Sequence, residues 1–419
     1  MKKIYNTEIL SVGTELLLGH VTNTDARDVA EELSKIGVNV LYQTVVGDNP
    51  ARLRQCVEIA KSRADIIITT GGLGPTCDDI TKNILAESFG LPLVMNQAER
   101  DGMYEYIKSG HGLTENNFQQ AMLPEGCTVF HNLNGTAPGC AFKKDGVTVL
   151  MLPGPPKECM MMLRHSAIPY LRSLSDETIV SHSVRVFGLG ESAVDDILRD
   201  EMNAMTNPTM APYAKECDCL VQITAKANSE AEAEAMCAPV IEHVKQTLGE
   251  YVYGTDIECV EEAAFALLKE HGLTFAACES CTGGEIAKRF TDLPGASSCF
   301  LGGAVTYTNG AKTKLAGVPA EIIEEKTAVS YEVAKLMAEG IRAALGADIG
   351  IGVTGLAGPD GDGVHEVGTV FVSLACKDGT FVRELRLGAA HHTRSFIRRM
   401  AGNHAFDMIR RYITGLNVV

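Results

Sequence analysis

Short apolar runs alternate along this chain with stretches whose apolar residues recur at helical spacing. Residues 7–12 read as a strand turned by Gly13-Thr14-Glu15-Leu16, and residues 23–36 set Ala26, Val29, Ala30 and Leu33 on one helical face that stops at Gly37. A strand over 38–46, a helix over 50–62 and a continuous apolar strand over 64–70 follow. This order predicts a parallel, doubly wound α/β sheet whose ligands sit beyond the carboxyl ends of the strands. Apolar strands at 140–142 and 147–152 border two stiff turns, Gly135-Thr136-Ala137-Pro138-Gly139 and Leu152-Pro153-Gly154-Pro155-Pro156-Lys157-Glu158.

From about residue 176 the texture changes. A strand over 178–187, a helix over 193–202, strands at 209–214 and 219–227, and an alanine-rich helix over 230–248 predict a small α+β module. After a link at 251–259, a helix over 260–271 is stopped by Gly272. Strands at 274–278, 302–307, 348–353 and 368–375, a helix over 331–345 and a final helix starting near His391-His392-Thr393-Arg394 complete a third, α/β domain. With 419 residues, three domains are expected, at 1–172, 176–252 and 258–416.

Composition narrows the function classes. Hydrophobic residues make up 45% and charged residues 21%, as in globular domains. The net charge of −16 falls mostly before residue 258 and argues against direct nucleic-acid binding through phosphate neutralisation. No signal-like start and no apolar run near the ~20 residues that span a bilayer are found, so the expectation is a cytoplasmic protein without a membrane partner. Thirteen scattered cysteines suit reduced, packed thiols. Cys278 and Cys281 form a C-x-x-C that redox chemistry or zinc can also use, but no second pair with finger-like spacing accompanies it.

Two turns carry candidate chemistry. In Ala277-Cys278-Glu279-Ser280-Cys281-Thr282-Gly283-Gly284, a hydroxyl sits between a strand and a helix, where backbone N–H groups are free. It reads either as a helix cap with a tight turn or as a nucleophile. Glu279, next along a strand, is expected to point away from Ser280. His365, His391 and His392 have no acid placed to orient them, and a desolvated Lys312 is the better base, although spacing alone does not select it. In Gly71-Gly72-Leu73-Gly74-Pro75-Thr76-Cys77-Asp78-Asp79-Ile80-Thr81, a glycine-rich turn after a strand offers a phosphate cradle with Gly71, Gly72, Gly74 and Thr81. Carboxylates beside such a cradle fit a bridging divalent cation or a base toward water, and the expected metal ligands are Asp78, Asp79 and Glu15. Lys157, at a helix start, is a further phosphate contact; Met160, Met161 and Met162 read as core.

The Gly13–Leu16, Gly71–Thr81 and Leu152–Glu158 stretches resemble the molybdopterin-binding-type domain that opens the competence/damage-inducible protein A (CinA) family. The 176–252 module resembles that family's KH-like middle domain, but its Gly188-Leu189-Gly190-Glu191 turn is acidic and lacks the G-x-x-G spacing, so it reads as a connector. The stretches 279–284, 307–312, Ala328-Val329-Ser330, 354–361 and Val367-Gly368-Thr369-Val370 resemble the C-terminal domain, a nicotinamide mononucleotide amidohydrolase. The resemblance implies a two-activity enzyme of pyridine-nucleotide salvage. In the last domain it implies Ser280 as nucleophile and Lys312 as base, with no cofactor. Ser297 and Tyr307 would position substrate or proton, Thr354 would line the pocket, Arg394 would meet the nucleotide phosphate, and amides of the Thr282, Gly283 and Gly284 turn would hold the oxyanion. In the first domain it implies magnesium-type, metal-dependent hydrolysis of ADP-ribose with Asp79 and Asp48 as catalytic carboxylates. One departure is Asp362-Gly363-Val364-His365-Glu366, where the family often carries a second glycine and a lysine-proline pair. A homodimer is the default assembly. Two other readings stay open, an adaptor in DNA uptake or recombination and a pterin-binding protein of molybdenum-cofactor assembly.

Overall fold

The computed structural model describes residues 5–108, 115–174, 178–388 and 393–419. The chain divides into two compact units, residues 1–181 with 224–236, and residues 182–223 with 237–419.

In the first unit, β1 (Asn6–Val12), β2 (Asn39–Val46), β3 (Ile66–Thr70), β4 (Thr128–Phe130), β5 (Gly139–Lys144) and β6 (Val147–Leu152) form one sheet in the order β2-β1-β3-β6-β5-β4. The first four strands in that order run parallel, as expected. β5 and β4 run antiparallel, a departure from an all-parallel sheet. The cause is local: Asp145 and Gly146, both with positive φ, link β5 to β6 in a two-residue turn that only a hairpin accommodates. Both sheet faces are covered. Leu10, Ile67 and Val149 pack with Leu53, Val57 and Leu85 in one cluster, whereas Ile9, Ile68 and Leu150 pack with Val29, Leu33 and Met162 in the other. Because β1, β3 and β6 are parallel, the Gly13, Gly71 and Pro153-Gly154 turns gather at one edge.

A second sheet takes β7 (Thr178–Val186), β8 (Thr209–Ala214), β9 (Cys219–Ala227) and β10 (Val252–Thr255) in the order β8-β9-β7-β10, with helices Glu191–Ala204 and Glu230–Leu248. This is the predicted small α+β module.

The last sheet holds β11 (Phe275–Glu279), β12 (Phe300–Val305), β13 (Ile349–Gly355), β14 (Thr369–Cys376) and β15 (Gly379–Arg386) in the order β12-β11-β13-β14-β15. β12, β11 and β13 are parallel and the remaining pairs antiparallel. Alternate residues of β11 enter different layers. Phe275 and Ala277 pack with Phe406 and Ile409 of the helix Arg394–Ile413, and Ala276 and Cys278 pack with Val333, Met337 and Ile341 of the helix Tyr331–Leu345. Two short helices, Asn309–Ala316 and Ala320–Lys326, were not among the predicted elements. No helix of the described residues is long and apolar enough to cross a membrane.

Candidate active site

Ser280 follows the last residue of the interior strand β11, and the parallel pairing puts the ends of β12 and β13 beside it. Its own amide donates to the Val353 carbonyl at 2.9 Å, which locks the start of the turn to β13. The Ser280 side chain is 7% exposed and Lys312 only 2%. Lys312 sits in the first turn of the helix Asn309–Ala316, whose N-cap Thr308 accepts from the Ala311 amide at 3.2 Å. From there its Nζ reaches inward, donating to Ser280 Oγ at 2.9 Å and to the Thr306 carbonyl at 2.9 Å. Burial pulls the Lys312 ammonium below the ordinary lysine range. An amine that can exist neutral, hydrogen-bonded to a hydroxyl, is the pairing that lets a serine surrender its proton.

Around this pair the remaining expected residues fall into two groups. Tyr307 and Arg394 come together at the same strand ends: Arg394 Nη2 donates to Tyr307 Oη at 2.8 Å and its Nη1 donates to the Gly358 carbonyl. Thr354 lies one residue before the end of β13 but is buried, and its hydroxyl donates to the Ala328 carbonyl at 2.7 Å. Thr282 is wholly buried, and its Oγ1 has no hydrogen-bond partner among the described residues. Ser297 is different. It precedes β12, whose first residue Phe300 pairs with Phe275 at the start of β11, so the length of β11, roughly 13 Å at ~3.3 Å per residue, separates it from the turn that holds Ser280. The structure does not bring Ser297 to the Ser280–Lys312 pair, which lies at the other end of β11. His391 and His392 lie outside the described residues. His365, on the departing loop, pairs with Asp362 at 3.3 Å.

The turn itself also corrects the expected oxyanion donors. The Gly283 amide donates to the Ser280 carbonyl at 3.1 Å, and the Gly284 amide donates to Glu279 Oε2 at 3.0 Å, so neither is free. Cys281 and Thr282 keep amides that donate to no oxygen among the described residues. Gly284 takes a left-handed φ of 93°, which starts the helix Glu285–Thr291 at once and which a side chain would strain. Glu279 turns away from Ser280 Oγ as expected: it shares the face of Phe275 and Ala277, and its carboxylate accepts from the Ile286 and Ala287 amides at the start of the helix packed there. Cys278 and Cys281 pack in separate clusters and are free thiols, with burial raising both pKa values, to about 11 and about 12. They serve as small core residues.

The first unit holds a second site. A cavity of about 990 Å³ lies over the gathered turns, lined by Glu15, Asp48, Gly71, Gly72, Gly74, Asp78 and Asp79, and also by Gln120, Asn134 and Glu158. Gly71 has φ +91° and passes so close to the Val12 carbonyl that no Cβ fits. Asp48 locks the first turn, accepting from the Thr14 amide at 2.8 Å while its own amide donates to Thr14 Oγ1 at 3.1 Å. Asp79 accepts from the Thr76 amide at 2.9 Å, and the Thr76 hydroxyl beside Asp78 holds that carboxyl below the usual range. Thr81 is fully buried behind Gly72, and Lys157 is exposed and does not line the cavity; Glu158 does. Among the described residues no three His, Cys, Asp or Glu side chains converge as a metal site, so Asp78, Asp79 and Glu15 are not a closed ligand set. Magnesium, however, usually takes one or two carboxylates and completes its shell with substrate phosphate and water, and the carboxylates facing this cavity suit that mode.

Sequence reasoning missed Arg398, Gln120 and Glu158, and the hold of Glu279 on the helix amides. Arg398 had a signal, lying one helical turn beyond Arg394 on the same helix. Its guanidinium donates to the Thr282 carbonyl at 2.7 and 3.2 Å.

Comparison with known proteins covers all three modules. Residues 8–173 match the family described as "Probable molybdopterin binding domain", residues 181–254 the damage-inducible protein CinA KH domain, and residues 257–413 the CinA C-terminal domain. A competence-damage inducible protein of Acetivibrio thermocellus is 46% identical over 414 residues, covering 98% of this chain and 99% of the relative. A CinA-like protein of Desulfovibrio desulfuricans is 45% identical over 414 residues, covering 98% and 97%. Among solved structures, competence/damage-inducible protein from Agrobacterium tumefaciens is 35% identical, covers 36% of this chain and 93% of that one, and superposes with a TM-score of 0.34. With 45% identity sustained along nearly the whole length of relatives that carry the name, this chain belongs to the CinA family.

Proposed function

We propose that the last domain hydrolyses the carboxamide of nicotinamide mononucleotide, giving nicotinate mononucleotide and ammonia. The observation that carries this reading is the buried 2.9 Å contact between Lys312 Nζ and Ser280 Oγ. Neutral Lys312 takes the Ser280 proton as Oγ bonds to the amide carbon, and the carbonyl electron pair moves onto oxygen. The C–N bond then breaks as Lys312 returns the proton to the leaving nitrogen, which departs as ammonia. Water next adds to the acyl-serine, again giving its proton to Lys312. Collapse releases the carboxylate and restores the serine. Arg394, a forked cation at the rim with Tyr307, suits the nucleotide phosphate. The test is ammonia release from nicotinamide mononucleotide by wild type and by Ser280→Ala; no release by wild type, or undiminished release by the variant, refutes it.

The cavity in the first unit favours a second activity, metal-dependent hydrolysis of the ADP-ribose diphosphate to AMP and ribose 5-phosphate. Its support is the meeting of a glycine cradle with Asp48, Asp78, Asp79 and Glu15 around one space. A divalent ion held by two of these carboxylates would neutralise phosphate charge. Gly71, Gly72 and Gly74 would let the backbone approach the diphosphate, and Asp79, which lines the cavity, would act as base toward water. Cleavage that a chelator abolishes and that Asp79→Asn weakens is expected. Tight pterin binding without cleavage would favour the cofactor-assembly reading instead.

A further inference from the structure

Four residues follow Ser280 before the helix Glu285–Thr291 begins, and their peptide groups are held unequally. The Gly284 amide, with those of Ile286 and Ala287, donates to the Glu279 carboxylate at 3.0, 3.1 and 2.9 Å. Glu279 is 2% exposed, and among the described residues no cation pairs with it; the three amides satisfy its charge. On the other side, Arg398 grips the Thr282 carbonyl with two donors, and the Gly283 amide of that same peptide donates to the Ser280 carbonyl. The Ser280 carbonyl is thereby pinned, while the amide across its peptide bond, that of Cys281, meets only its own thiol sulfur and donates to no oxygen among the described residues. Nor does the next amide, that of Thr282. Glu279 reaches the base too, since its carbonyl accepts from the Thr306 amide at 2.8 Å and the Thr306 carbonyl accepts from Lys312.

We propose that Glu279 and Arg398 are positioning residues that brace the Ser280 turn from opposite sides, so that the Cys281 and Thr282 amides are preorganised as the oxyanion site. The inference deepens the amidase reading and rests on it. Neither side chain touches Ser280 Oγ or Lys312 Nζ; each acts through peptide planes. Preorganised donors matter most where charge develops, so loosening them is felt in the chemical step and not in the binding of the ground-state amide.

The experiment measures kcat and KM for ammonia release, and also the rate at which a fluorophosphonate labels Ser280, in wild type, Glu279→Gln and Arg398→Gln. In labelling, Ser280 Oγ bonds to phosphorus, fluoride leaves and Lys312 takes the proton, so the phosphoryl oxygen loads the same amides without any nucleotide. Glutamine keeps the shape of Glu279 but turns an N–H₂ toward amide donors. Expected is a kcat lower by about 10²-fold for Glu279→Gln and about tenfold for Arg398→Gln, with KM within about twofold and labelling slowed in parallel. A folded Glu279→Gln with wild-type kcat and labelling overturns the brace. If that variant does not fold, the partly exposed Arg398→Gln decides by the same two readouts. Wild type that labels but releases no ammonia sinks the substrate while the labelling rates still judge the brace. Wild type that does neither removes the nucleophile, and the brace with it.

Discussion

Two buried lysines, one in each unit, look alike until their partners are compared. Lys82 donates to the Gln119 and Gln120 carbonyls, both at 2.9 Å, and burial pulls its pKa down to about 8. Lys312 likewise donates to a main-chain carbonyl and is lowered by burial, but its second partner is a hydroxyl. Desolvation alone therefore does not make a catalytic base. Both carbonyls around Lys82 are acceptors with no proton to give, and the amine can only hold a segment in place. Ser280 Oγ has a proton to lose, and the same physical perturbation becomes chemistry.

The sharpest way to break the comparison is to remove each amine. Lys312→Met should lower ammonia release by about 10³-fold, within the usual range for loss of a positioned base, while Lys82→Met leaves it at the wild-type rate. Equal losses would mean that both act through fold stability, and the distinction between them would fall.

Next in size is pH. Only neutral Lys312 accepts the serine proton, and its pKa lies below the ordinary lysine range. Activity should rise about tenfold per pH unit on the acid side and level off before a free lysine would titrate. A profile still climbing through pH 10 would place the base elsewhere. Stability carries the same sign: between the folded and unfolded pKa values the unfolded chain binds the extra proton, so stability contributed by Lys312 falls as pH falls through the folded value.

How far the sequence announced these sites follows from which interactions are local. The strands show in continuous apolar runs, and the turns in glycines at their ends; 147–152, 209–214, 219–227 and 331–345 appear in the structure with those bounds. The lysine pair could not be separated by pattern, because Lys312 and Ser280 meet only through the pairing of β11 with β12. Ser297 comes from the family resemblance, which matches positions without saying which end of a strand they occupy. Glu279 follows the alternation of β11, but pattern alone does not show that its carboxylate holds the amides of the next helix. The helix Asn309–Ala316 escaped because eight residues between a strand and a glycine make too short a pattern.

The smallest expected effect concerns Lys82 alone. In wild type above about pH 8 the amine is mostly neutral and bonds two carbonyls without burying a charge; below that, the protonated form is held with its charge partly stripped of water, Asp79 being among the nearby groups that offset the cost. Because the folded pKa lies below the unfolded one, the Lys82 contribution is complete above the unfolded value and is lost as pH falls through about 8. Lys82→Met has no such proton and leaves the Gln119 and Gln120 carbonyls unpaired, a loss on the order of 1–3 kcal/mol at high pH. Thermal unfolding of the first unit should therefore show the variant below wild type at pH 9 by a few °C, with the gap narrowing toward pH 7. A gap that widens on acidification would mean that Lys82 is held as a stabilised cation. The amine would then belong with charged groups facing the phosphate cavity, and its likeness to Lys312 would end at burial.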